Sequence, residues 1–361
     1  MNKRQHDYLY SHILKINYKK QDHWDVFKKL FFEKISNYAS MESFRTNGLS
    51  NMLETGLPSQ ELEAALKGKH YSNYYNTFEK EELIKRFDQL LTISDGEIIN
   101  FPFNTLVGNP RHYKYSFKNK VFYLNFDDLY HVYSSWQIKR MHDFLFKDKK
   151  PNHILEIGAG YGGLASKLKK LFETSKYVIV DLPEVLLIQN YFLSQFEPNL
   201  KIKNLLDYKN DTIEIEKIDA DIILIPFTIY EKIKNFSFDI AINTRSFGEM
   251  PKDIMNNYIK WIEKNIAIDG LLYNTNRYVF TKSVDKNKIR DYPYDDFWEP
   301  IISQPQWLQT HLHEFLLRRK SSRTHIPLKL LLKSFPLQTP PPGPIMEDIQ
   351  KQEDWINNQK I

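Results

Sequence analysis

Leu155-Glu156-Ile157-Gly158-Ala159-Gly160-Tyr161-Gly162-Gly163-Leu164-Ala165 is the stretch on which the reading of the fold turns. A short apolar run carries a carboxylate near its end, glycines follow at alternate positions, and an amphipathic helical pattern takes over. This is a strand, a tight bend and a helix. Glycines belong in such a bend because the backbone must adopt conformations closed to other residues and a ligand must approach it closely. The spacing fits two nucleotide loops. Gly158, Gly160 and Gly163 match the G-x-G-x-x-G of a dinucleotide site. Glu156, Gly158, Gly160 and Gly162 match the acidic-x-G-x-G-x-G of an S-adenosyl-L-methionine loop.

Glu156 separates the two. A carboxylate at the end of a buried strand is costly unless it meets a cation or donors. A dinucleotide diphosphate would be repelled by it, whereas a sulfonium and an ammonium would be favoured. Ala159 and Tyr161 lie between the glycines and share the same surface. Downstream, Val180-Asp181-Leu182-Pro183 ends a second strand, where a carboxylate accepts ribose hydroxyls; Asp181 also suits the cap of the next helix. Asp181 supports a nucleoside ligand of either kind, and Glu156 points to S-adenosyl-L-methionine as cofactor, with Leu182 beside the nucleoside and Asp207 or Phe227 on the adenine side.

Working outward, strand and helix patterns alternate. Ile154–Ile157, Tyr177–Val180, Asp221–Ile225, Asp239–Ile242 and Leu271–Asn274 read as strands. Leu164–Phe172, Glu184–Phe196 and Asp253–Ile266 read as helices, and Trp298–Ile302 and Leu312–Leu317 as a closing antiparallel pair around a loop-like Gln304-Pro305-Gln306. Such alternation calls for a parallel sheet with helices on both faces. The expected fold class is α/β, doubly wound, a mostly parallel seven-stranded sheet with a last antiparallel strand, plus an N-terminal helical region. The first 125 residues look mainly helical, with Trp24, Phe27, Phe31, Ile35 and Tyr38 at helical spacing, and Leu83, Ile84, Phe87, Leu90 and Leu91 likewise. Asp127 or Asp128 is expected to cap a helix reaching Phe146. Domain limits follow: 1–126 as an N-terminal mainly helical region, 127–320 as the cofactor-binding domain, and 321–361 as an extension with the Pro340–Pro344 arm.

In an open parallel sheet ligands sit beyond the carboxyl ends of the strands. The segment after the fourth strand, Asn243-Thr244-Arg245-Ser246-Phe247-Gly248-Glu249-Met250-Pro251, therefore faces the chemistry. It lacks the Asn/Asp-Pro-Pro-Tyr/Phe of base-methylating enzymes. Transfer to a hydroxyl needs an aligned oxygen and removal of its proton. Glu249 is the first candidate base and His313 the second, while Asn243, Arg245 and Ser246 are placed to orient cofactor or acceptor. His131 and Tyr133, on the helix before the sheet, are candidates for covering the site. Each has a plainer reading: Glu249 as a helix-start hydrogen bonder, His131 as a satisfied helix histidine.

Composition limits the alternatives. With no Cys among 361 residues, disulfides, thiolate zinc sites and cysteine nucleophiles are excluded. No His/Asp/Glu cluster has metal-ligand spacing. A net charge of +5 is spread along the chain, without the stripe that marks nucleic-acid binding; Arg318-Arg319-Lys320 with Arg323, Lys329 and Lys333 is the densest basic group. The N-terminus has no apolar signal core, no run is long enough to span a bilayer, and the chain reads as cytoplasmic.

Three segments together resemble a known family, the bacterial sugar O-methyltransferases of surface-polysaccharide and secondary-metabolite gene sets. They are Leu155–Ala165, Val180-Asp181-Leu182-Pro183 and Asn243–Met250, with weaker echoes in Gly108-Asn109-Pro110, Tyr130-His131-Val132-Tyr133 and His313-Glu314. The resemblance covers roughly residues 105–320. It implies O-methylation of a sugar hydroxyl, on a nucleotide sugar or a glycan, from S-adenosyl-L-methionine, by an enzyme expected to be a homodimer. The rivals are methylation of a non-sugar small molecule or peptide, and a non-catalytic scaffold subunit of the same fold.

Overall fold

The computed structural model describes residues 1–16, 32, 34–46, 77–103, 106–147, 149–173, 175–234, 236–280, 285–324 and 327–336. Eight strands form one sheet: β3 (His153–Ile157), β4 (Lys176–Asp181), β5 (Ile202–Asn204), β6 (Ile222–Pro226), β7 (Phe238–Thr244), β8 (Ile266–Arg277), β9 (Trp298–Gln306) and β10 (Gln309–Arg319). A separate hairpin pairs β1 (Tyr113–Phe117) with β2 (Lys120–Leu124). The helices are α1 (Lys3–Ile13), α2 (Thr77–Ile93), α3 (Phe126–Phe146), α4 (Gly163–Leu171), α5 (Pro183–Phe196), α6 (Lys252–Asn265) and α7 (Leu328–Lys333).

The sheet runs β5-β6-β4-β3-β7-β8-β10-β9. All neighbours are parallel except around β10, which is antiparallel to both β8 and β9. This is the doubly wound α/β architecture the alternation implied, with eight strands instead of seven. The extra one, β5, is a three-residue edge strand inside a polar stretch too charged to read as a strand.

The inner strands are almost wholly apolar because helices cover both faces. Alternate residues sort into two cores. Ile154, Ile179, Leu224, Ile242 and Tyr273 join α4 and α5 residues on one face. Leu155, Val178, Ile223, Ala241 and Leu272 join α6 on the other. At about 1.5–3 kcal/mol for each fully buried Leu or Ile side chain, these two layers supply the main stabilisation. A third core joins α2, the hairpin and α3 through Leu83, Phe87, Phe122, Leu129 and Trp136. Helix α1 packs on α5, with Leu9 and Ile13 buried in the first core.

Three local expectations are corrected. Helix α3 is capped by Asn125, whose side chain accepts from Asp128 N, and neither Asp127 nor Asp128 acts as the cap. Gln304-Pro305-Gln306 is strand, and the turn falls at Trp307-Leu308. The β1–β2 hairpin interrupts a region expected to be mainly helical: its two-residue turn, Lys118-Asn119, takes positive φ at both positions (45° and 63°) without a glycine to announce it. In the basic run, Arg318 pairs with Asp269 at 2.9 Å, Arg319 with Asp295 at 2.5 Å and Lys320 with Asp269 at 3.7 Å. The expected helix at Trp24–Phe31 and the Pro340–Pro344 arm lie outside the described residues.

Candidate functional site

The strand order reverses at β3, so the bend leaving it opens at the switch point where such sheets bind ligands. Gly158, Gly160 and Gly162 all have positive φ (71°, 57° and 94°). Two glycines are also required by neighbouring protein. A Cβ at Gly158 would lie 2.3 Å from Ser246 Oγ, and one at Gly163 would lie 2.3 Å from the His131 ring. Ser246 and His131 therefore wall the bend from two sides, with the Tyr161 hydroxyl 3.5 Å from His131 Nδ1.

Glu156 is fully buried. Its Oε2 accepts from the Tyr177 hydroxyl at 2.7 Å, while its Oε1 has no hydrogen-bond partner. Among the described residues no cation pairs with it. Burial raises its pKa to about 8; the Tyr177 hydrogen bond opposes this, and the charge of Asp181 adds to it. A carboxyl with an orphaned oxygen fits a donor arriving from a cationic ligand, since pairing would return it to the charged form.

Asp181, ending β4, receives three donors. Ala159 N (3.0 Å) and Gln189 Nε2 (2.7 Å) reach Oδ2, and Leu182 N (2.8 Å) reaches Oδ1. Burial raises its pKa to about 7, against these hydrogen bonds. A carboxylate offers about four acceptor positions, so gripping both hydroxyls of a ribose requires Gln189 to release one. Gln189, on α5, also donates to Gly160 O at 2.8 Å and thereby ties the bend to Asp181. No sequence motif marked it. Leu182 lies beside Asp181 at the start of α5, where no side chain caps the helix. Phe227 stands at the same edge, its N donating to Asp181 O at 2.9 Å. Asp207 does not join them: it follows the edge strand β5 and accepts from Tyr8 of α1 at 2.5 Å.

The segment after β7 is braced from within. Asn243 is buried and donates to Ile157 O at 2.9 Å; its Oδ1 accepts from Phe247 N at 3.1 Å and Asn276 Nδ2 at 2.9 Å. Its amide is thus spent on holding the loop, which corrects its placement as a cofactor ligand. Arg245 adopts a left-handed φ of 65° and sets its guanidinium 4.3 Å from the centre of the Tyr130 ring. Glu249 ends a short 3-10 turn, half-buried, with its charge bearing on Arg277 at the end of β8.

His313 is corrected. It pairs with Asn276 and faces the α6 side, among Phe315, Phe335 and Tyr278. Its nitrogens lie 3.1 Å from Ser303 Oγ and 3.0 Å from the Tyr278 hydroxyl, and burial depresses its pKa to about 3. With both nitrogens held by hydroxyls and its basicity lowered by burial, it is poorly suited to take a proton from an acceptor. Its neighbour Glu314 points the opposite way, buried beneath α3, where Tyr133, Gln137, Tyr273 and Gln304 all donate to it at 2.6–3.2 Å. Tyr133 is thereby committed to the scaffold, contrary to its expected contact with the acceptor. Among the described residues no group of His, Asp or Glu is arranged to hold a metal, and no helix is long and apolar enough to cross a membrane.

Sheet and site together define a doubly wound α/β protein with a glycine bend between a buried carboxyl, Glu156, and a half-buried one, Asp181. No family model matches the chain, and no curated protein matches it. Solved structures do. Plantazolicin methyltransferase BpumL in complex with SAH aligns at 14% identity over 42% of this chain and 49% of that one, TM-score 0.31. Mitomycin 7-O-methyltransferase MmcR aligns at 12% identity over 54% and 57%, TM-score 0.36. N-methyltransferase NodS from Bradyrhizobium japonicum WM9, in complex with S-adenosyl-L-homocysteine, aligns at 10% identity over 54% and 86%, TM-score 0.33. The chain spans about half the length of the BpumL chain. At TM-scores this low the likeness does not assign an acceptor or a mechanism to the chain.

Proposed function

We propose that the chain is an S-adenosyl-L-methionine-dependent O-methyltransferase acting on a sugar hydroxyl. The observation that carries the cofactor is the buried, half-satisfied Glu156 carboxyl beside a bend of three left-handed glycines. A cationic amino-acid end supplies the missing donor and returns that carboxyl to its charged form, whereas a diphosphate offers Oε1 neither a cation nor a donor. Glu156 would hold the ammonium, the bend's backbone the methionine end, and Asp181 the ribose, with Phe227 against the base. Bound there, the cofactor supplies a methyl group on a positively charged sulfur. The fold's own residues do the rest: Ser246 and His131 wall the bend, and Glu249 accepts the hydroxyl proton as the new carbon–oxygen bond forms.

The sugar acceptor rests on the resemblance of Asn243–Met250 to the sugar O-methyltransferases. Incubation with methyl-labelled cofactor and a panel of sugars, phenols and peptides tests it. Label entering a sugar at a base-stable ether position is expected; label entering only phenols or peptides would displace the sugar reading while keeping methyl transfer.

A further inference from the structure

At the carboxyl end of the sheet, on the side of β3 away from Asp181, three arginines and a neutral histidine gather from four elements. Arg245 follows β7, Arg277 ends β8, and His311 lies near the start of β10, which runs antiparallel and so begins at the same end. Arg86 of α2 reaches in from the N-terminal region, donating to Leu308 O at 3.0 Å in the turn that leads into β10.

The geometry of each is specific. Arg245 holds an unfavourable left-handed backbone, fixed by its N donating to Thr275 O at 2.7 Å, and lays its guanidinium over Tyr130. Arg277 is half-buried opposite Leu312. His311 is 8% exposed and its Nδ1 has no hydrogen-bond partner among the described residues.

The electrostatics agree. Burial depresses the pKa of His311 to about 3, and the charges of Arg277, Arg245 and Arg86 all push it the same way. Burial and Arg245 also lower that of Arg277, opposed by Glu249. Protein folds gather arginines so closely where an anion is to be bound, because the guanidinium fork matches phosphate oxygens.

We propose that Arg245, Arg277 and the free Nδ1 of His311 form an anion subsite that grips a phosphate of the acceptor. The acceptor is then a phosphate-linked sugar, and the subsite brings its hydroxyl toward Glu249, whose carboxylate already lies within the field of Arg277. This inference rests on the methyltransferase reading, and deepens it by choosing an anionic acceptor over a neutral glycan.

The test uses the full chain saturated with S-adenosyl-L-homocysteine and titrated with pyrophosphate, UDP and a neutral disaccharide. Wild type is expected to bind the two phosphates and not the disaccharide. R277Q should weaken phosphate binding about tenfold or more, and R277K should restore part of it. Homocysteine-cofactor affinity, unchanged in both variants, reports an intact fold. UDP binding more tightly than pyrophosphate assigns the phosphate to a nucleoside diphosphate; equal binding assigns it to a simple sugar phosphate. Normal cofactor binding without phosphate binding, or with equal phosphate affinity in wild type and R277Q, overturns the subsite alone. Failure of S-adenosyl-L-homocysteine to bind would instead strike at the methyltransferase reading itself.

Discussion

Replacing Glu156 with Gln should remove a proton linkage from cofactor binding. In the free protein burial holds this carboxyl's pKa at about 8, so at pH 6 it is protonated. An ammonium at Oε1 favours the charged form and returns the pKa toward its ordinary value of about 4.3. Binding then releases a proton, and affinity rises close to tenfold per pH unit below 8. Between pH 6 and pH 8 that amounts to about 50-fold. Asp181, raised to about 7, adds a slope that ends near pH 7, and Tyr177 stays neutral, its pKa raised by burial and by Glu156. The interval from pH 7 to 8 therefore isolates Glu156. Calorimetry of S-adenosyl-L-methionine binding in two buffers of different ionisation enthalpy reads the released proton directly. E156Q should keep only a rise of about twofold or less above pH 7, the end of the Asp181 titration. A wild-type affinity that is flat from pH 7 to 8, with no proton released, would refute the reasoning. The same shift has a stability consequence. The folded state holds the Glu156 proton more tightly than the unfolded chain, so this contribution is full below about pH 4.5 and is lost as pH rises toward 8. The free protein should lose melting temperature from pH 7 to 8, and saturating cofactor should reverse that loss.

Three further outcomes rest on the same geometry. D181A should weaken cofactor binding by tenfold or more, about 1.4 kcal/mol or above, because it removes both the ribose acceptor and the anchor of Ala159 N and Gln189; equal affinity would free Asp181 from the site. E249Q should leave cofactor affinity unchanged and slow turnover about 100-fold, the usual worth of a general base; equal kcat would remove Glu249 from the chemistry. K167M should destabilise the fold by about 3–5 kcal/mol in urea titration. Lys167 pairs with Asp128 at 2.8 Å with both side chains buried, and the double variant K167M/D128L should recover most of the loss.

Much of the fold was legible because periodicity is a local property. The near-continuous apolar runs at Ile154–Ile157 and Ile222–Ile225 could only be strands covered on both faces, and the glycine bend announced its own position. What failed depends on register. His313 and Glu314 are adjacent in sequence, but only pairing against Asn276 and Thr275 decides which faces α3, and that pairing sent the histidine to the wrong side for catalysis. Asp207 was misplaced because the edge strand β5 carried it outward. Gln189 and Arg277 gave no local signal at all. Helix packing sets Gln189 on Asp181, and strand order sets Arg277 opposite β10, positions far apart in the chain.

The most direct test of the central claim, that this bend receives a cationic sulfur cofactor, is a crystal structure of the protein with S-adenosyl-L-homocysteine. The account predicts the ligand's ammonium within hydrogen-bond distance of Glu156 Oε1 and its ribose on Asp181, with Gln189 moved aside. A ligand ammonium directed elsewhere, leaving Glu156 on Tyr177 alone, would contradict it.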